Sequence, residues 1–133
     1  MADESKSYQI TTIFGRESMA KAISGDLPLP KVAAIAFGDG GHDPAQPKNG
    51  KPIPFDQEGL ISPRAIIPIA DHSYPTPGVV RFTINLTPSS IPGGGFSEAA
   101  LVDENGKAIA IQTFGLMSIS GNSTMTYDWE EVY

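Results

Sequence analysis

The chain has 133 residues, a net charge of −6 with 18 % charged residues, and no cysteine. That length leaves room for one domain with a real core, while the missing thiols exclude a disulfide framework, a thiolate zinc site and a cysteine nucleophile. The few cations are scattered, which argues against nucleic acid as a main partner, because a phosphate binder needs a basic stripe.

No apolar run approaches the roughly 20 residues that span a bilayer, so no membrane contact is expected. Met1 to Lys6 carry charge with no apolar stretch behind them, so no secretory leader is expected. Residues 1–10 read as a flexible arm ahead of a single domain over 11–133. Fourteen glycines and twelve prolines make up about one residue in five, against an average of roughly 12 %. Proline is excluded from helix interiors and central strands, so short strands joined by many turns are favoured over a bundle.

In chain order, Thr11 to Ser24 is the one helix candidate. Thr11 or Thr12 caps its start, Gly25 takes the left-handed position after its end, and Pro28 and Pro30 block continuation. Ile13, Met19, Ala20 and Ile23 form its apolar side, and Gly15 weakens it. Lys31 to Phe37 is an apolar run of strand length that stops at Gly38. His42 to Asp56 holds four prolines, lacks periodicity and reads as an exposed loop. Residues 60–70 read as a strand that Pro63 and Pro68 push to an edge or bulge.

Val79 to Thr87 alternates clearly, with Val80, Phe82, Ile84 and Leu86 on a dry face. Phe96 to Gln112 reads as a hairpin around Asn105-Gly106, the sequence of a type I′ turn. The end of the chain alternates again, with Met125, Tyr127 and Trp129 to one side. One helix followed by five or six strands gives an α+β fold, mostly β: a single N-terminal helix on an antiparallel sheet or β-sandwich.

The stretch AFGDGGHDP, residues 36 to 44, is the richest in possible chemistry. As a phosphate loop it fails: Asp43 stands where the last glycine of G-x-G-x-x-G belongs, and no lysine-serine pair follows. Pro44 also stops a helix from opening behind the glycines. Asp39, His42 and Asp43 are oxygen- and nitrogen-rich enough for a hard cation, with Asp71 and His72 able to approach from another loop. Aspartate and glycine are equally what any tight turn uses. A hydrolase would draw on Ser97, Glu98 and His72, yet Ser97 lacks the second glycine of a nucleophile elbow. Tyr127, Trp129 and Tyr133 suit either an aromatic sugar platform or the core. Nothing converges on a reactive centre, so no enzyme and no cofactor are expected.

Three segments in this order resemble a known family. The first is TTIFGRESMAKAISGDLPLPKVAAIAFGDGG, a helix, a turn, a strand and a glycine-aspartate-glycine turn. The second is VVRFTINLTPSSIPGGGFSEAALVDENGKAIAI, a strand, a glycine linker and a hairpin. The third is YDWEEVY. Together they resemble the N-terminal domain of phage tail-collar fibre proteins. In that family's hairpin motif, Glu98, Leu101, Asp103 and Gly106 match, whereas Ser97 stands at an arginine and Ala100 at a glycine. The resemblance implies a non-catalytic protein that attaches a tail fibre to the baseplate for host adsorption, in the virion tail or in the host cytoplasm before assembly. It also implies self-association as a trimer beside baseplate or fibre proteins. The chain would be a truncated fibre, a prophage remnant or a short linking protein. The expected contact surface is an edge strand or the Gly93, Gly94 and Gly95 region, with Glu98, Tyr127 and Trp129. The alternative reading is a carbohydrate- or calcium-binding β-module.

Overall fold

The computed structural model describes residues 5–119 and 121–133. Its described residues form eight strands and one helix: β1 (Tyr8–Thr11), α1 (Ile13–Ile23), β2 (Val32–Gly38), β3 (Pro63–Pro68), β4 (Asp71–Ser73), β5 (Val79–Leu86), β6 (Gly95–Asp103), β7 (Ala108–Ser118) and β8 (Met125–Val132). A five-stranded sheet runs β1-β7-β6-β2-β3, and a three-stranded sheet runs β4-β5-β8. Every pairing is antiparallel. The fold is α+β and mostly β, as expected. No helix among the described residues is long and apolar enough to cross a membrane.

The period of two explains the layers. Ile35 and Phe37 of β2 and Ala99 and Leu101 of β6 meet Ile84, Leu86 and Trp129 between the sheets. Their neighbours Ala34, Ala36, Ala100 and Val102 form a second cluster, covered by Ile10, Ile53 and Leu60. With apolar material on both faces, β2 and β6 read as continuous apolar runs rather than alternating ones. Four rings link edge-to-face through the core, Tyr127 to Phe37 (5.1 Å between centroids), Phe37 to Phe96 (5.6 Å) and Phe96 to Phe114 (5.9 Å).

Pro63 and Pro68 do bracket an edge strand, with a register shift at Phe37/Gly38. The helix starts where Thr12 Oγ1 accepts from Gly15 N, and Gly25 follows it at φ +85°. Its packing departs from the apolar stripe read in the sequence. Ile23 is 87 % exposed, and the buried helical residue is Gly15, whose missing side chain lets α1 touch the Ile109 carbonyl. Close approach, not an apolar face, seats this helix.

Two short strands escaped the sequence reading. Tyr8–Thr11 pairs with β7, so part of the expected arm at 1–10 is a sheet edge, while residues 1–4 lie outside the described residues. Asp71–Ser73 pairs with β5. The hairpin turn is also different from type I′. Gly106 N–H donates to the Asp103 carbonyl at 3.0 Å, and Gly106 alone in that turn has a positive φ, +80°. Glu104 and Asn105 therefore form the centre, and Gly106 is the left-handed residue that follows it. Asp103 Oδ1 fixes this choice by accepting from Asn105 N and Lys107 N, each at 2.9 Å.

Candidate functional site

The GDGG stretch follows β2 and folds back over β6. Gly38 pairs with Glu98 across the β2–β6 ladder. Ser97 and Glu98 are fully buried, at 0 % exposure. A buried carboxylate needs donors, and here the backbone supplies them. Glu98 Oε2 accepts from Gly40 N at 2.9 Å and Ser62 N at 2.8 Å, and Oε1 accepts from Ile61 N at 2.9 Å. The Ser97 hydroxyl oxygen accepts from Gly41 N at 2.9 Å and His42 N at 3.1 Å, and lies 2.9 Å from His42 Nδ1.

Glycine is required at this contact by distance. A β-carbon on Gly41 would stand 2.2 Å from the Ser97 carbonyl oxygen, and one on Gly38 would stand 2.4 Å from that of Ser62. Glu98 is thus held by amides from two loops, Gly40 of the glycine stretch and Ile61 and Ser62 of the segment before β3. These two loops, 38–42 and 61–62, are tied to β6, the central strand of the five-stranded sheet.

The other residues singled out in the sequence go to separate places. Asp39 pairs with Arg64, Oδ2 to Nη2 at 2.9 Å. The Ser62 hydroxyl first, and Arg64 second, hold its carboxyl below the usual carboxylate range. Asp43 Oδ1 accepts from Ala45 N at 2.9 Å. Asp39, His42 and Asp43 therefore have separate partners, and no group of three or more His, Asp or Glu side chains able to hold a metal ion is present among the described residues. His72 sits on exposed β4 against Tyr74 and Phe82, whereas Ser97 and Glu98 are enclosed within β6. The Ser97 hydroxyl oxygen is enclosed and accepts from two amides.

Of the expected contact residues, Glu98 and Trp129 are wholly interior, so their side chains are not presented at the surface. Tyr127 is half-buried, with its hydroxyl donating to Gln112 Oε1. Gly93 and Gly94 form a turn with φ +85° and +77°, and Gly95 opens β6. The loop 42–56 is largely exposed, as expected, with Gly50 buried in its middle. Its middle, 47–51, is strapped to β7: Leu116 N donates to the Pro47 carbonyl at 2.8 Å, Thr113 Oγ1 to the Lys51 carbonyl at 2.7 Å, and a β-carbon on Gly50 would meet Phe114 N at 2.7 Å.

A second polar cluster was not anticipated. Glu131, 7 % exposed, accepts through Oε1 from Trp129 Nε1 at 2.7 Å and from Gln9 Nε2 at 3.0 Å. Gln9 Oε1 in turn accepts from Gln112 Nε2 at 2.9 Å. Burial pushes the Glu131 carboxyl up, and the donors from Trp129 and Gln9 draw it partly back. This chain of groups joins β8 of one sheet to β1 and β7 of the other, along the side where the sandwich is open. On the opposite side β3 runs into β4 with only Ile69 and Ala70 between, closing the corner.

No protein-family model, curated protein or solved structure matches the chain.

Proposed function

We propose that the chain is a non-catalytic assembly module, and that it serves as a fibre-attachment component of a phage or prophage tail. The observation that carries the assembly part is an apolar groove of about 470 Å³ lined by Met19, Ile23, Leu29, Val32 and Tyr133. Its rim is heavily exposed, with Leu29 at 62 % and Tyr133 at 69 %. Apolar side chains gathered around a groove in this way mark association surfaces.

The tail part rests on the three-segment resemblance. Support for reading those segments as one unit comes from their contacts. The turn of the first takes up Ser97 and Glu98 of the second, and the third, as β8, pairs with the opening strand of the second.

Light scattering on size-separated protein tests the first part. A mass of three chains is expected, falling to one chain in Leu29→Asp. A strict monomer at high concentration contradicts it. Immunogold labelling of particles induced from the source strain tests the second. Label at the tail end is expected, and unlabelled particles from cells that make the protein contradict it.

A further inference from the structure

We infer that the free edge of β8 is a docking strand for a basic, extended segment of a different protein, which adds to the three-stranded sheet beside β8. The inference rests on the assembly reading and names its second surface.

The direction of the β8 backbone follows from two hydrogen bonds. Tyr133 N donates to the Gly78 carbonyl at 2.8 Å, so that pair is hydrogen-bonded. The register from Val79↔Val132 to Leu86↔Met125 is unbroken. Hydrogen-bonded and non-hydrogen-bonded pairs then alternate. Thr126, Asp128, Glu130 and Val132 fall in the second kind, with amides and carbonyls pointing away from β5. The Thr83 carbonyl, opposite Asp128, agrees: it accepts from Ala70 N at 3.0 Å, on the far side from β8.

The other edges are blunted, as sheet edges generally are. β3 is bracketed by Pro63 and Pro68, β4 has three residues, and β1 has four. β8 has eight residues and no proline. Beside it runs a groove of about 380 Å³ lined by Tyr8, Gln9, Gln112, Phe114, Tyr127 and Asp128. A free ladder and a trough beside it are what strand addition uses.

Charge selects the occupant. The outward side chains of β8 include Asp128 and Glu130. On the β5 side they are matched by Thr83 (2.8 Å to Asp128) and Arg81 (2.6 Å to Glu130). An incoming strand meets the same two carboxylates from the other side. A second copy's β8 is a poor candidate. The two longest self-pairings set Asp128 against Asp128 or against Glu130, and like charges directly opposite are destabilising. A segment that repeats the β5 order, apolar residues alternating with arginine and threonine, fits both the backbone and the charges.

The test titrates the full chain, labelled with nitrogen-15, with the capped peptide Lys-Val-Val-Arg-Phe-Thr-Ile-Lys and with its counterpart carrying glutamate for arginine. Saturable binding below about 1 mM is expected for the first, with amide shifts confined to β8 and β1, and binding about tenfold weaker for the second. Asp128→Pro removes one outward amide without touching the β5 ladder and abolishes binding, whereas Asp128→Asn only weakens it. No binding, shifts centred on β3, or equal binding of both peptides overturns the inference. So do protein dimers that Asp128→Pro abolishes. The two peptides on the unaltered protein decide the matter even if the proline variant does not fold. Absence of binding with a mass of three chains in solution removes this edge and leaves the assembly reading standing; peptide binding by a strict monomer does the reverse.

Discussion

The Gly41 amide donates to the Ser97 hydroxyl oxygen at 2.9 Å across fifty-six residues of sequence. The same approach leaves no space for a side chain, because a Gly41 β-carbon would lie 2.2 Å from the Ser97 carbonyl. Gly41→Ala is expected to cost about 2–3 kcal/mol, lowering Tm by about 10 °C. Gly59 has open space around its β-carbon position and no positive φ. Gly59→Ala is expected to be neutral or to gain about 0.5 kcal/mol through the unfolded state. Parallel thermal melts check the pair.

Glu98 accepts from three backbone amides. Glu98→Ala leaves those amides without a partner and is expected to cost about 3–5 kcal/mol. Glu98→Gln keeps the shape but turns an NH₂ group towards donors, so it recovers only part and still costs about 2 kcal/mol. Urea unfolding measures both. A glutamine variant as stable as the parent would show that shape, not the carboxylate, holds the loops.

Gly15 reverses a familiar rule. In an exposed helix interior, glycine to alanine gains about 1 kcal/mol. Here an alanine β-carbon would lie 2.4 Å from the Ile109 carbonyl, so Gly15→Ala is expected to cost about 1–3 kcal/mol. Ile23→Ser, at a side chain 87 % exposed, is expected to leave the stability of the isolated chain within about 0.5 kcal/mol. Denaturant midpoints separate the two.

Glu131 gives the fold a pH dependence of defined sign. Burial raises its carboxyl above the ordinary value of 4.5, so the folded chain holds that proton more tightly than the unfolded chain. The stabilisation is complete below the unfolded value and is lost as pH rises through the folded one. Glu131→Gln keeps an acceptor for Trp129 and Gln9 and removes the titration. Its Tm relative to the parent is expected to rise as the pH is raised above 4.5. Asp39 works in the opposite sense, its contribution fading only as pH falls below the usual carboxylate range. A Tm difference that stays constant with pH contradicts the role given to Glu131.

What was legible in the sequence was local. Period-two alternation located β5 and β8, and Thr12 with Gly25 bounded the helix. The two prolines demoted β3 to an edge. Each signal acts within a few residues. The clamp was not legible, because a carboxylate in a strand looks outward-facing until the strand is known to be covered on both sides. One clue was present: Ser97 and Glu98 interrupt the apolar run from Phe96 to Val102, and the glycine turn at 38–41 offers amides with no visible partner. β1 escaped because its four residues take their order from β7, about one hundred positions away. The type I′ turn failed because Asp103, two residues before Asn105, captures the amides that decide the geometry.

Amide hydrogen exchange on the isolated chain tests most directly the claim that an internal carboxylate clamps the loops while β8 keeps an open edge. Gly40, Gly41, Ile61 and Ser62 are expected to exchange as slowly as the core of β6, although they lie outside the interior of any strand. Along β8, Tyr127, Trp129 and Glu131 are expected to be slow, and Thr126, Asp128 and Glu130 fast. Rapid exchange throughout 38–62, or uniform protection along β8, would contradict it.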